Sequence, residues 1–235
     1  MNQLMFSFVL GIFIKRVQTR YGERVAGEIR AKSNKEYKKI LPHVPKVGGL
    51  RNYFAGIVIA NGWFIATYKA MKSVGYTAGD SMAIWAEMAG DIFKRMPAWL
   101  QARLGKFLTS DGAIRGFHKQ AKKSQLREYP GDWVYRVNDS QGFDLALEFE
   151  ECAAIKMYRE LGVEELGPYC SFGDVTYSTY LGIGIDATET LGLGFKTCKL
   201  YYQRGGSVKH NSKIKHILPA HLIENPRVQS VEKNP

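Results

Sequence analysis

The chain has 235 residues, of which 45% are hydrophobic, 23% charged and 12% aromatic. This composition excludes a disordered chain and is typical of a globular protein with one large domain or two small ones. The formal net charge is +11, from 33 basic and 22 acidic side chains, which is compatible with a nucleic acid, a membrane surface or a small anionic substrate as partner. The basic residues are spread along the chain without the interleaved aromatic side chains of a nucleic-acid groove, so no nucleic-acid partner is predicted.

The first sixteen residues, MNQLMFSFVLGIFIKR, contain an apolar stretch from Leu4 to Ile14. This stretch is too short to cross a bilayer as a helix, so no integral membrane segment is expected. No basic residue precedes it and no small-residue cleavage site follows, so a signal peptide is not expected either. We interpret the stretch as a helix that packs on the core, with docking on a membrane surface or on a partner helix as the alternative.

The next elements are predicted to be helical up to about residue 125. LPHVPKVGGLRN, with two prolines and a Gly-Gly pair, predicts a loop over 41–52. Apolar periodicity and helix-end signals predict helices over 3–31, about 51–74, about 78–95 and 96–108.

The pattern changes to strands near residue 132. WVYRVND and FDLALEF both alternate with a period of two and flank a turn sequence, which predicts a hairpin. FEECAAIKMYRELG predicts a helix over 149–162, on which Cys152 would lie opposite the apolar stripe. A helix in GPYCSFGDVTYSTYL and a second hairpin, GIDATETL with KTCKLYYQR, follow. In the last strand Cys198, Leu200 and Tyr202 share a face, opposite Lys199.

This order of elements predicts an α+β fold. A helical half, about 1–125, would pack with a hairpin–helix–helix–hairpin unit, about 130–204, that forms an antiparallel sheet. We therefore expect a single domain over 1–204. The polar composition of residues 205–235 predicts a partly ordered C-terminal tail.

Three cysteines, Cys152, Cys170 and Cys198, are separated by wide gaps without a CxxC motif. They match no common zinc pattern, and the histidines of the tail match no standard ligand spacing, so no metal and no cofactor are expected. Free thiols indicate a reducing compartment, and the expected location is the cytoplasm. The sequence does not decide between a monomer and a homo-oligomer.

Cys170 precedes Asp174 by four residues in GPYCSFGDVTY, and this pair has two interpretations. In the first, the dipole of the following helix favours a reactive thiolate at Cys170, and Asp174 handles protons. In the second, Ser171 and Asp174 form a capping box that fixes the start of the helix. Cys198, on a strand face with two apolar residues, is interpreted as a core residue from local sequence alone.

Several sequence blocks together resemble the L-2-amino-thiazoline-4-carboxylic acid hydrolase family. The resemblance covers roughly residues 15–203, and its most specific features are a cysteine that opens a helix ending in ELG, a Cys-x-x-x-Asp pair and a T-L-x-x-G-x-x-x-C block. The blocks here are YGERVAGEI, LPHVPKVGGLRN, YKAMKSVGY, ECAAIKMYRELG, YCSFGDVTY and TLGLGFKTCKLYY. Lys199-Leu-Tyr-Tyr202 departs from the Asp-Phe-Arg-Phe-like strand common in the family, and the basic residue often found before the T-L block is absent.

The resemblance implies hydrolytic opening of a small cyclic amidine at its carbon–nitrogen or carbon–sulfur bond, and not peptide hydrolysis. Such a reaction needs a nucleophile or an activated water, a proton donor and a cationic anchor for the substrate carboxylate. For these needs the sequence offers Cys170 or Cys152 as nucleophile, Asp174 as proton donor and Arg51 or Lys199 as the cationic anchor. Of these, the resemblance carries over Cys152, Cys170 and Asp174. The expected substrate-binding residues are Arg51, Asn52, Thr190, Cys198 and Lys199.

Two alternatives stay open at this point. Asp174 could activate a water molecule while the thiols only shape the pocket. The C-terminal half also resembles small-molecule-binding domains of the 4-vinyl-reductase type, which often bind a ligand without converting it.

Overall fold

A computed structural model describes residues 3–49, 52–139 and 141–235. The described helices are α1 (Gln3–Tyr21), α2 (Glu23–Ile40), α3 (Ala55–Lys72), α4 (Ala78–Lys94), α5 (Ala98–Leu108), α6 (Asp111–Ser124), α7 (Ala153–Glu160), α8 (Phe172–Leu181), α9 (Ser212–Lys215) and α10 (Ala220–Ile223). The described strands are β1 (Val134–Asn138), β2 (Leu145–Glu151), β3 (Ile183–Glu189), β4 (Cys198–Arg204), β5 (Val208–His210) and β6 (Val228–Ser230). Short 3-10 turns lie at Leu41–His43, Glu164–Tyr169 and Leu191–Leu193.

The strands form one sheet in the order β1-β2-β4-β3-β5-β6. β1 pairs with β2 and β3 pairs with β4 as antiparallel hairpins, and β2 joins the two hairpins through β4. The α+β class is therefore confirmed. The sheet is mixed rather than purely antiparallel, because β5 is parallel to β3 and β6 is parallel to β5.

Residues 205–235 differ from the partly ordered tail that their composition predicts. Val208 of β5 lies beside Ile185 of β3 and is fully buried. Ile214 and Leu222 are buried as well, in α9 and α10. The composition of this segment is polar on average, but it includes a few apolar residues. The spacing of those residues along the chain, and not the average composition, determines which side chains are buried.

The N-terminal helix is interrupted at Gly22, where the backbone adopts a positive φ of 87°. The predicted helix over 3–31 is thus two helices, because only glycine enters this conformation readily. Phe6, Leu10 and Phe13 of α1 are buried in the core. None of the described helices combines the length and the apolar character that crossing a bilayer requires.

Helix α5 approaches α8 closely at Gly105. A Cβ atom added there would lie 2.2 Å from the carbonyl oxygen of Leu181, which is far inside van der Waals contact. Because the contacting atom belongs to the backbone of α8, a side-chain rotation cannot relieve the contact, and the two helices would have to move apart. This contact fixes α5 against the helix that carries Asp174.

Gly105→Ala is expected to lower the free energy of unfolding by about 2 kcal/mol, the usual range for overpacking a tight contact. Gly112→Ala serves as the control, since the nearest atom to its added methyl group is the Ser110 hydroxyl at 3.8 Å. This control should be neutral or stabilising by up to about 1 kcal/mol, because alanine favours helix more than glycine does. Urea denaturation measures both, and equal effects of the two variants would contradict the assigned contact.

Candidate functional site

A cavity of about 600 Å³ lies between the sheet and helices α3, α5, α6 and α8. Tyr53, Ile57 and Phe107 line it and are 57%, 45% and 63% exposed, so they surround its opening. Most of the lining is aliphatic or aromatic. A cavity of this size and character is suited to a small organic molecule.

Strand register explains the composition of the sheet wall. Leu145, Leu147 and Phe149 of β2 lie opposite Tyr202, Leu200 and Cys198 of β4, and all six line the cavity. Successive side chains of a strand point to opposite faces. The intervening residues, including Lys199, therefore face away from the cavity.

The three cysteines converge on this cavity from separate elements. Cys152 lies between β2 and α7, Cys170 lies between a 3-10 turn and α8, and Cys198 is the first residue of β4. All three are free thiols. The interpretation of 149–162 as one helix is wrong at its start, because β2 continues to Glu151; Cys152 reaches the cavity as the residue before α7 and not as part of a helical face.

Among the described residues that line the cavity, Asp174 is the only one with a carboxyl group. The hydroxyl of Tyr177 donates a hydrogen bond of 3.1 Å to its Oδ1 atom, and the hydroxyl of Tyr202 approaches the same atom at 3.4 Å. The two tyrosine hydroxyls also bond to each other at 2.8 Å. Burial raises the pKa of Asp174 from 3.8 to about 6, although both tyrosine bonds oppose this rise.

The thiols are held in their protonated form. Burial, with a smaller contribution from Cys152, raises the pKa of Cys170 from 9.0 to about 12, while the hydroxyl of Thr190 opposes the rise. Burial likewise raises the pKa values of Cys152 and Cys198. The pKa of Cys170 is thus shifted in the direction opposite to the one expected from its position ahead of α8, because burial disfavours the thiolate.

The capping-box interpretation of Ser171 and Asp174 is wrong. Ser171 does precede α8, but its side chain makes no capping hydrogen bond. The carboxylate of Asp174 is engaged by tyrosines, as described above, and not by the backbone of Ser171. A true capping box occurs in α4, where Thr77 and Asp80 bond to each other's backbone N–H groups.

Thr190 and Gly192 pack next to the thiol of Cys170. Thr190 is fully buried and precedes the 3-10 turn Leu191–Leu193. A Cβ atom at Gly192 would lie 2.1 Å from the carbonyl oxygen of Gly167 and 3.1 Å from Sγ of Cys170. Glycine at this position therefore lets two backbone segments meet beside the thiol.

Two other expected substrate-binding residues are not brought to the cavity. The side chain of Asn52 donates hydrogen bonds to the carbonyl of Val47 and to the carboxylate of Asp132. It therefore holds the loop before α3 and does not line the cavity. Lys199 forms an ion pair with Glu189 at 2.7 Å on the opposite face of the sheet. Arg51 lies outside the described residues. Among the described residues, no Lys, Arg or His lines the cavity.

Sequence reasoning missed three polar residues that line the cavity, Tyr177, Tyr202 and Asn61. Tyr177 follows Asp174 by three residues on α8, a spacing that brings helix side chains together and could have identified it. Tyr158 donates a hydrogen bond to Oδ1 of Asn61, and both residues are buried. Asn61 stands in a largely apolar helix, which was the available signal.

The described residues contain no group of three or more His, Cys, Asp and Glu side chains arranged to hold a metal ion.

Asp174→Asn is expected to stabilise the fold at pH 8. The carboxylate is ionised there, and the rise of its pKa from 3.8 in the unfolded chain to about 6 corresponds to about 3 kcal/mol. The folded protein takes up this proton as the pH falls through 6, so the advantage of the variant should shrink and vanish toward pH 4. Denaturation at several pH values measures it, with Asp139→Asn, an exposed residue, as control. A constant difference across pH would contradict the assignment.

Comparison with known proteins identifies the family to which the chain belongs. Residues 56–202, more than half of the chain, match the family described as L-2-amino-thiazoline-4-carboxylic acid hydrolase. No curated protein and no solved structure gives a match. The matched region contains all of the cavity-lining cysteines, Asp174 and both tyrosines that contact it. The chain therefore belongs to the L-2-amino-thiazoline-4-carboxylic acid hydrolase family.

Proposed function

We propose that the protein opens a small heterocycle by adding water to an amidine-like carbon, with Asp174 as the acid and base. The observation that carries this proposal is a single carboxyl group with a pKa of about 6 inside an apolar cavity. A group with a pKa close to neutrality can both accept and return a proton during one turnover. The hydrolytic family name supports the same class of reaction.

In the proposed reaction, ionised Asp174 takes a proton from water as the water oxygen bonds to the amidine carbon. As the carbon is attacked, the C=N double bond opens and its nitrogen takes up a proton from solvent. The tetrahedral adduct then collapses: its hydroxyl group loses its proton to solvent as the carbonyl forms, the ring bond to nitrogen or sulfur breaks, and Asp174 returns its proton to the leaving atom. The net change is the addition of one water molecule. Tyr177 and Tyr202 hold Oδ1 of Asp174 by their hydroxyl groups, which leaves Oδ2 for the reacting water.

Water attack is favoured here over attack by a thiol. With a pKa of about 12, Cys170 would be a thiolate in only about one molecule in 10⁵ at pH 7. The three neutral thiols are better suited to bind the sulfur and carbon edges of the substrate, since a thiol is a weakly polar, polarisable group. We therefore assign Cys152, Cys170 and Cys198 to shaping the pocket.

The substrate is proposed to be a small cyclic amidine whose ring occupies the apolar part of the cavity. If it carries a carboxylate, Arg51 is the proposed anchor, because it lies two residues before Tyr53 of the cavity opening. Lys199 is not assigned to this role, since its ion pair lies on the other face of the sheet.

The rate of opening of 2-amino-thiazoline-4-carboxylate, followed by mass spectrometry, is expected to depend on Asp174. The wild-type kcat/KM should rise through about pH 6, as the base ionises. Asp174→Asn should lower it by about 10²-fold or more, the usual contribution of a general base. Asp186→Asn is the control, because its carboxylate bonds to Thr188 and does not line the cavity.

Cys170→Ala distinguishes the two forms of the reaction. Water attack predicts that kcat falls less than about tenfold, whereas loss of turnover with Cys170→Ala, together with a covalent adduct in the wild type, would establish the thiol as nucleophile. The alternative of a non-catalytic binding domain, which the apolar lining favours, predicts thermal stabilisation by the same compound with no product.

A further inference from the structure

Positive charge is concentrated in one segment of this chain, the loop and helices over residues 94–127. This segment contains one acidic residue, Asp111, and nine basic ones: Lys94, Arg95, Arg103, Lys106, Arg115, Lys119, Lys122, Lys123 and Arg127. Its net charge is 9 − 1 = +8, out of +11 for the whole chain. Although the basic residues are spread along the chain, most of the net positive charge falls in this segment. All nine are exposed, and in the described part of the chain only Arg127 forms an ion pair with a carboxylate.

Helical spacing separates this charge from the cavity wall. On α6, Arg115, Lys119 and Lys122 recur every three or four residues and so share one outward face. The opposite side of α6 carries Phe117, which lines the cavity, and the buried Ala121. The two helices that close one side of the cavity thus present a basic outer surface.

Aromatic side chains are exposed within the same surface. Trp99 is 67% exposed and shares a face of α5 with Arg103 and Lys106. Phe107 of α5 is exposed and lines the same cavity opening as Tyr53, which lies in the loop before α3. Exposed aromatic residues flanked by unpaired basic ones are typical of proteins that bind the interface of a lipid bilayer.

We propose that this surface, formed by α5, α6 and the rim of the cavity, docks on a bilayer that contains anionic phospholipids. The unpaired basic side chains are attracted to the negative surface potential of such a membrane. Trp99 and Phe107 enter the interfacial region, where amphipathic and aromatic rings are favourable. Attachment is peripheral, and Phe107 places one edge of the cavity opening within the docked surface.

A membrane explains these features better than a nucleic acid. A single-stranded nucleic acid would require a basic groove with stacking platforms along it. Here the exposed aromatic residue Phe107 borders an apolar cavity, which offers nothing to a phosphate backbone. The proposal is independent of the reaction assigned to Asp174.

Vesicle co-sedimentation tests the proposal directly. The full chain should bind vesicles of 70% phosphatidylcholine and 30% phosphatidylglycerol at least tenfold more tightly than vesicles of pure phosphatidylcholine. Binding should fall steeply at 0.5 M salt, because screening shortens electrostatic attraction to a few ångströms. Trp99 fluorescence should shift to the blue on binding, and this shift should disappear in Trp99→Ala.

A triple variant, Arg115→Gln/Lys119→Gln/Lys122→Gln, should lose tenfold to a hundredfold in binding to the anionic vesicles. The matched control removes the same charge from α2, as Arg30→Gln/Lys35→Gln/Lys38→Gln, all exposed, and should stay within about twofold of wild type. Circular dichroism and thermal melting verify that both triple variants fold. Equal loss in the two variants, binding independent of phosphatidylglycerol, or tighter binding to a 20-nucleotide single strand than to the vesicles would overturn the proposal.

Discussion

The desolvation of one carboxyl group is the constraint on which the rest of this site depends. Asp174 lies in an apolar cavity, and burial raises its pKa to about 6 even with two tyrosine hydroxyl groups bonded near Oδ1. An isolated carboxylate buried without any partner would be far more costly. The tyrosine hydrogen bonds thus limit the rise in the pKa of Asp174 that burial causes.

The fold builds this environment through close backbone contacts rather than through a large rigid core element. Gly105 lets α5 reach α8, and Gly192 lets one 3-10 turn reach another beside Cys170. The hairpins supply an inward face of leucine, phenylalanine and tyrosine, since the neighbouring strands β2 and β4 pair in register along one wall of the cavity. The two parallel strands added by the C-terminal segment extend the sheet behind α8, so residues 205–235 contribute to the same scaffold.

The same desolvation is the reason why we propose attack by water rather than attack by a thiol. A thiolate is the reactive form of cysteine, and an apolar cavity disfavours it more than it disfavours a neutral thiol. The lining that the described residues provide has no cation to compensate. In contrast, most of the net positive charge of the protein lies in residues 94–127, where the basic side chains are exposed and hydrated. On α6 the two features lie on opposite sides, because Phe117 lines the cavity and Arg115, Lys119 and Lys122 face outward.

The sequence by itself determined the α+β class, both hairpins and the helices α4 and α5 closely, because these depend on local periodicity and on end signals. It also singled out Cys152, Cys170, Asp174 and Cys198, through a resemblance in ordered blocks, and the alternation of β4 already put Lys199 opposite Cys198. Only the tertiary structure decided that three thiols and Asp174 meet in one cavity, that Asn52 and Lys199 are used elsewhere, and that the polar C-terminal segment joins the sheet. These outcomes depend on desolvation and on contacts between residues far apart in the chain, which no local pattern encodes.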